Sequence, residues 1–117
     1  MRFTLTALTC SALALPVAAE TTVNLSFGAV DSIETMTYTC DAAAPLRVQY
    51  VNAGENELAL TNINGTPRIF VNVVSGSGAR YVSGADTLST KGMTLLLENQ
   101  MDETKVLCGQ SSDMPQE

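Results

Sequence analysis

The sequence has no histidine and no tryptophan, and its 6 basic residues face 12 acidic ones. Without histidine the commonest general base is missing, and so is the usual partner of a nucleophilic serine. Only 3 cysteines are present, none in a CxxC spacing, so a metal or redox cysteine pair lacks the ligands that would complete it. The shortage of basic residues argues against nucleic acid and against anionic membrane surfaces as partners. No apolar run reaches the roughly 20 residues that a bilayer-spanning helix needs. The remaining hints of catalysis are weak. Glu55/Glu57 and Asp102/Glu103 are carboxylate pairs in polar, turn-like sequence, with nothing nearby to desolvate them, so they read as solvated loop charges. "SGSGAR" is glycine-rich but lacks the Gly-Lys-Ser/Thr end of a phosphate loop. Asn24-Leu25-Ser26 and Asn64-Gly65-Thr66 match the glycosylation triplet only as often as chance allows. The expectation is a protein that is not an enzyme and uses no metal or other cofactor.

What is present begins with the N-terminus, "MRFTLTALTCSALALPVAAE". One basic residue precedes a short apolar run, and Val17-Ala18-Ala19 before Glu20 has the small-residue pattern of a signal-peptidase site. Residues 1–19 are therefore expected to be a secretory signal, leaving a mature domain over 20–117, about 98 residues long. Lipidation at Cys10 is the less favoured alternative. Thr9 precedes that cysteine, the apolar run before it is very short, and apolar sequence continues after it. Removing the signal leaves Cys40 and Cys108, an even pair in an oxidising compartment, which reads as one disulfide. Closing a loop of 68 residues stabilises by roughly 4 kcal/mol in the chain-entropy model.

No segment of the mature chain holds a helical period for three turns. It divides into short β-branched, aromatic or leucine-rich runs separated by turn residues: "TVNLSFG", "MTYTC", "LRVQYVN", "ELALTN", "RIFVNVV", "ARYVS", "TLLLEN" and "TKVLCG". "LRVQYVN" puts Leu46, Val48 and Tyr50 on one face, and Asn64-Gly65 is a strong hairpin signal. The tail from Gln110 to Glu117 reads as frayed. Eight short antiparallel strands predict an all-β fold, a small closed barrel or a compact sandwich. An eight-stranded barrel is just filled by its own side chains, so function is expected on the loops.

One stretch remains, "SGARYVSGADTLSTKG", with Ser77 and Lys91 each beside a glycine. Taken alone, they read as a turn serine and a solvated lysine. In order along the chain stand "YTCD" (Tyr38 to Asp41), "LRVQYVN", "SGARY" (Ser77 to Tyr81), "TKG" (Thr90 to Gly92) and a late Cys108. Together these closely resemble the membrane-bound or periplasmic inhibitors of chicken-type (c-type) lysozymes made by Gram-negative bacteria. The resemblance runs from about Thr37 to Gln110 and implies an eight-stranded antiparallel barrel. It also implies that Ser77 and Lys91 enter the lysozyme's active-site cleft, with Gly78, Arg80, Tyr81 and Gly92 around them, and that the partner is a c-type lysozyme. An ammonium group suits a pair of catalytic carboxyl groups, and a hydroxyl suits either protonation state of a carboxyl. Glycines 76, 78 and 92 are expected to let the loops turn tightly. After loss of Arg2 the net charge falls to about −7, which favours encounter with a basic enzyme. Without a convincing lipidation signal the chain resembles the soluble periplasmic form. It departs from the family in having Leu88 and Ser89, and no aromatic residue, just before its lysine. The competing reading is an envelope barrel that binds a small ligand or glycan. That reading needs a cavity or an aromatic platform built from Phe27, Tyr38, Tyr50, Phe70 and Tyr81.

Overall fold

The computed structural model describes residues 9–17, 22–41 and 44–111. Eight strands follow one another: β1 (Ser32–Cys40), β2 (Leu46–Ala53), β3 (Asn56–Ile63), β4 (Thr66–Val73), β5 (Ala79–Ser83), β6 (Asp86–Lys91), β7 (Thr94–Asn99) and β8 (Thr104–Gln110). Each pairs antiparallel with the next, and β8 returns to β1, so the sheet closes into a barrel. No helix among the described residues is long and apolar enough to cross a membrane.

Alternation along each strand decides what the barrel encloses. Register places Val48 opposite Thr61, Tyr50 opposite Ala59, Ala59 opposite Phe70 and Tyr81 opposite Leu88, all pointing inward. Phe70, Leu88, Leu95 and Val48 are fully buried and fill the centre. The interior is therefore packed with the protein's own side chains.

The β1–β8 seam is paired only over Tyr38–Cys40 against Cys108–Gln110. Cys40 and Cys108 face each other there and form the expected disulfide, with Cα atoms 4.2 Å apart. The covalent bond thus lies across the short seam that closes the barrel. The amide of Ser111 donates to the Thr37 carbonyl and extends the same seam.

Turn chemistry matches the strand ends. Asn64 (φ 50°) and Gly65 (φ 79°) are both left-handed, as a type I′ hairpin requires. Gly54, Gly84 and Gly92 each open a two-residue turn with positive φ and are followed by a residue with ordinary φ, the pattern of type II′.

The count of eight is right, but two of its members differ from expectation. "TVNLSFG" is not a strand: residues 22–27 make no ladder, and Val23 and Leu25 are exposed. A closed barrel has no free edge for it to join. The strand that sequence reading passes over is β6, "DTLSTK". It has a single large apolar residue, Leu88, but its β-branched Thr87 and Thr90 suit a pleated surface, and β5 and β7 supply partners on both sides. Gln110 belongs to β8 and its amide donates to the Met93 carbonyl, so fraying does not begin there. Of the expected signal segment, residues 9–17 are exposed and without regular structure, while the expected cleavage site at Ala19/Glu20 lies outside the described residues.

Candidate functional site

Because the strands run alternately up and down, the β2–β3, β4–β5 and β6–β7 connections share one end of the barrel. Ser77 lies in the β4–β5 connection and Lys91 is the last residue of β6, so both expected site residues reach this end. Lys91 is thus held by a strand rather than by a loop, which corrects the expectation of two loops.

Gly78 brings the two together. It has φ +67°, and a Cβ built on it would fall on the Thr90 carbonyl oxygen and lie 3.3 Å from the Lys91 Cβ. Only a residue without a side chain lets the β4–β5 connection lie directly on the end of β6. Ser77, fourteen positions before Lys91 in sequence, becomes its neighbour in space. Just beyond, Ala79 pairs with Thr90 and fixes the register of this contact.

Both segments are braced. The Ser75 hydroxyl donates to the Ser77 carbonyl at 2.9 Å. On the other side, the Thr94 hydroxyl donates to the Lys91 carbonyl at 2.8 Å, and the Gln110 amide to the Met93 carbonyl at 2.8 Å. Gly92, at φ +60°, makes the turn between them. Gly76 has ordinary φ and open space around it, so the left-handed turning falls to Gly78 and Gly92.

Among the described residues the ion pairs are Arg68–Asp86 and Lys105–Glu98. The Lys91 ammonium is exposed and has no carboxylate partner there.

The other residues expected at the site divide by strand parity. Arg80 is half-buried on the outer face, opposite Val73 and Ser89. Tyr81 points inward, is only 7% exposed and belongs to the hydrophobic core. It lies 5.6 Å, centroid to centroid, from Tyr50, whose hydroxyl is 2.9 Å from that of Tyr38. Burial, and then the nearby Glu57 carboxylate, push the Tyr81 hydroxyl above its ordinary pKa, while a hydrogen bond to Asn72 pulls the other way. Burial first, and then the Tyr38 hydrogen bond, raise Tyr50 as well. This tyrosine cluster was not legible beforehand, because cross-strand proximity depends on barrel closure.

The carboxylates read as solvated loop charges are exposed. Glu55 and Glu57 stand at the same end as Lys91, and Asp102 and Glu103 at the opposite end.

Comparison with known proteins identifies the family. Residues 38–105 match the family described as membrane-bound lysozyme-inhibitor of c-type lysozyme. A protein of Cupriavidus necator described as a membrane-bound lysozyme inhibitor of C-type lysozyme is 40% identical over 60 residues, covering 51% of this chain and 48% of the relative. One of the same description from Pseudomonas aeruginosa is 39% identical over 56 residues, covering 47% and 44%. The chain thus spans about half the length of the curated relatives it matches. The crystal structure of Pseudomonas aeruginosa MliC in complex with hen egg white lysozyme superposes with a TM-score of 0.62 at 29% identity, covering 91% of this chain and 100% of that one. The matched span contains Ser77, Gly78, Lys91 and Gly92, and more than half of the sequence lies within it. The chain therefore belongs to the family of membrane-bound lysozyme inhibitors of c-type lysozyme.

Proposed function

We propose that this protein inhibits a c-type lysozyme by placing Ser77 and Lys91 in the enzyme's active-site cleft. The observation that carries the reading is the close approach of Gly78 to Thr90 and Lys91, which brings the segment bearing Ser77 against the end of β6, where the Lys91 side chain is exposed. A c-type lysozyme cleaves its glycosidic bond with one protonated and one ionised carboxyl group. Lys91 pairs with the ionised group and Ser77 hydrogen-bonds to either, so sugar and water are both displaced. The inhibitor itself performs no chemistry. The mature chain's net charge of about −7 speeds encounter with a basic enzyme.

The ligand-binding alternative has less support. Of the five aromatic residues it would use, Tyr38, Phe70 and Tyr81 are buried and Tyr50 is half-buried. They fill the core and leave little for a platform.

The test is inhibition of a c-type lysozyme in a cell-wall lysis assay. Lys91→Ala should weaken binding by about 2–5 kcal/mol, roughly 30-fold or more. Ser77→Ala should lose about 1.5–3 kcal/mol, as for a hydrogen bond to a charged group. Lys105→Ala is the control, because Lys105 stands at the opposite end and pairs with Glu98 at 3.2 Å. Equal, small effects at Lys91 and Lys105 would refute cleft plugging even if the parent protein inhibited. The reading also places the mature protein in the periplasm, starting near Glu20 and not lipidated at Cys10. Intact mass checks this, and an acylated Cys10 would contradict it.

A further inference from the structure

Two large apolar side chains stand in water beside the Ser77–Lys91 pair. Val74, in the β4–β5 connection, is 98% exposed, and Met93, in the β6–β7 turn, is 63% exposed. Val73, where β4 runs into that connection, adds a third, partly exposed one. Neither Val74 nor Met93 hangs on a loose tail. Val74 sits between the end of a paired strand and the Ser75–Ser77 hydrogen bond, and the Met93 carbonyl is held by the Gln110 amide. By contrast, the positions directly before the lysine offer no apolar surface. Leu88 is fully buried in the core, and Ser89 is a half-buried serine opposite Arg80.

We infer that Val74 and Met93 form an apolar rim flanking Lys91 and pack against the apolar walls of the lysozyme's sugar-binding cleft. This inference rests on the inhibitor reading above. A cleft that binds a sugar chain is lined mostly by apolar and aromatic side chains, with a few polar groups placed for orientation. A plug carrying only a hydroxyl and an ammonium group satisfies the polar groups and leaves those walls wet. Val74 and Met93 are the exposed large apolar side chains on the two connections that carry or follow Ser77 and Lys91, and so are placed to cover them. Their position on either side of the Gly78–Thr90 contact makes the rim continuous with the polar pair. The division of labour follows: Lys91 and Ser77 recognise the catalytic carboxyl groups common to the enzyme class, and Val74 and Met93 set affinity for a particular cleft wall.

The experiment measures dissociation constants and rates for hen egg white lysozyme with the full-length mature protein. The variants are Val74→Ser, Met93→Ser, the double variant, Lys91→Ala, and Met101→Ser as an exposed apolar control at the opposite end. Each rim substitution should weaken binding about 5- to 20-fold by lost apolar burial. The loss should appear mainly as faster dissociation. Raising the salt concentration should leave the ratio between parent and rim variants unchanged, because the lost contact is uncharged. Met101→Ser should match the parent, and melting temperatures should be the same throughout. A double rim variant that binds within twofold of the parent, while Lys91→Ala is strongly weakened, overturns the rim and leaves the inhibitor reading standing. A parent protein that does not bind lysozyme at all removes both.

Discussion

The two ends of the barrel each carry a basic side chain, and the fold treats them in opposite ways. Arg68 turns into the mouth remote from the site. Its Nη1 lies 2.9 Å from Asp86 Oδ2, and its Nη2 donates to the Ser83 carbonyl at 2.7 Å. Asn99 donates to the other Asp86 oxygen at 2.7 Å, which completes a polar plug. Lys91, at the other end, is exposed and has no partner among the described residues. The first arrangement satisfies its polar groups internally and serves the fold. The second leaves its ammonium group exposed to solvent, as the proposed inhibition requires. A charged group that adds little to stability is the kind of group a binding surface can use, since burying it in a complex with a matched carboxylate restores its pairing.

Four variants and one change of condition sharpen this contrast. Arg68→Ala should have the largest effect on folding, because it strands a mostly buried Asp86. Breaking a buried pair typically costs about 3–5 kcal/mol, and the partial exposure of Arg68 lowers the expectation to about 2–3 kcal/mol. Inhibition should stay within about twofold of the parent at temperatures where the variant is folded. Lys91→Ala should behave the other way round, with weakened inhibition and an unchanged melting temperature. If one variant lowered both quantities, the separation of roles would fail.

Two glycines divide the site end itself. Gly78→Ala has to accommodate both a left-handed backbone and a clash with the Thr90 carbonyl, and should lower stability by about 2 kcal/mol or more. It should also weaken inhibition, because the β4–β5 connection is pushed off Lys91. Gly92→Ala meets open space, so only backbone strain of about 1 kcal/mol is expected. Denaturant unfolding of the two variants ranks them, and equal losses would argue against the Gly78 contact.

The remaining effect is confined to alkaline pH. Tyr50 and Tyr81 have folded-state pKa values raised above the ordinary 10.0, mainly by burial. The folded protein therefore holds these protons more tightly than the unfolded chain does. The stability they contribute is fully present below pH 10 and falls as pH rises beyond it, by at most about 1.4 kcal/mol per pH unit for each tyrosine. Unfolding midpoints measured at pH 9 and above check the slope. A flat profile across that range would mean that the tyrosine hydroxyls are solvated.

Much of this was legible in the sequence, but unevenly. β2 was readable because Leu46, Val48 and Tyr50 alternate with polar residues, and the Asn64-Gly65 turn because few other pairs tolerate two left-handed residues. β6 was not, because a threonine-rich run with one leucine carries almost no local hydrophobic signal and becomes a strand through its neighbours. "TVNLSFG" erred in the other direction: its composition suits a strand, but no edge remains to accept it. The site followed the same rule. Ser77 and Lys91, the proposed polar pair, stand out only through motif resemblance, while Met93, Val74 and the tyrosine cluster carry no motif at all.

By itself the sequence determined the all-β class, the Cys40–Cys108 bond and the Asn64-Gly65 hairpin turn. These depend on local alternation, on left-handed turn residues and on counting cysteines in an oxidising compartment. Only the tertiary structure decided that Lys91 ends a strand, that Gly78 lies on Thr90 and so seats Ser77 beside it, and that Tyr81 turns inward into the core. Each of these depends on which strands pair and in what register, and register is set by closure of the whole barrel rather than by any one segment.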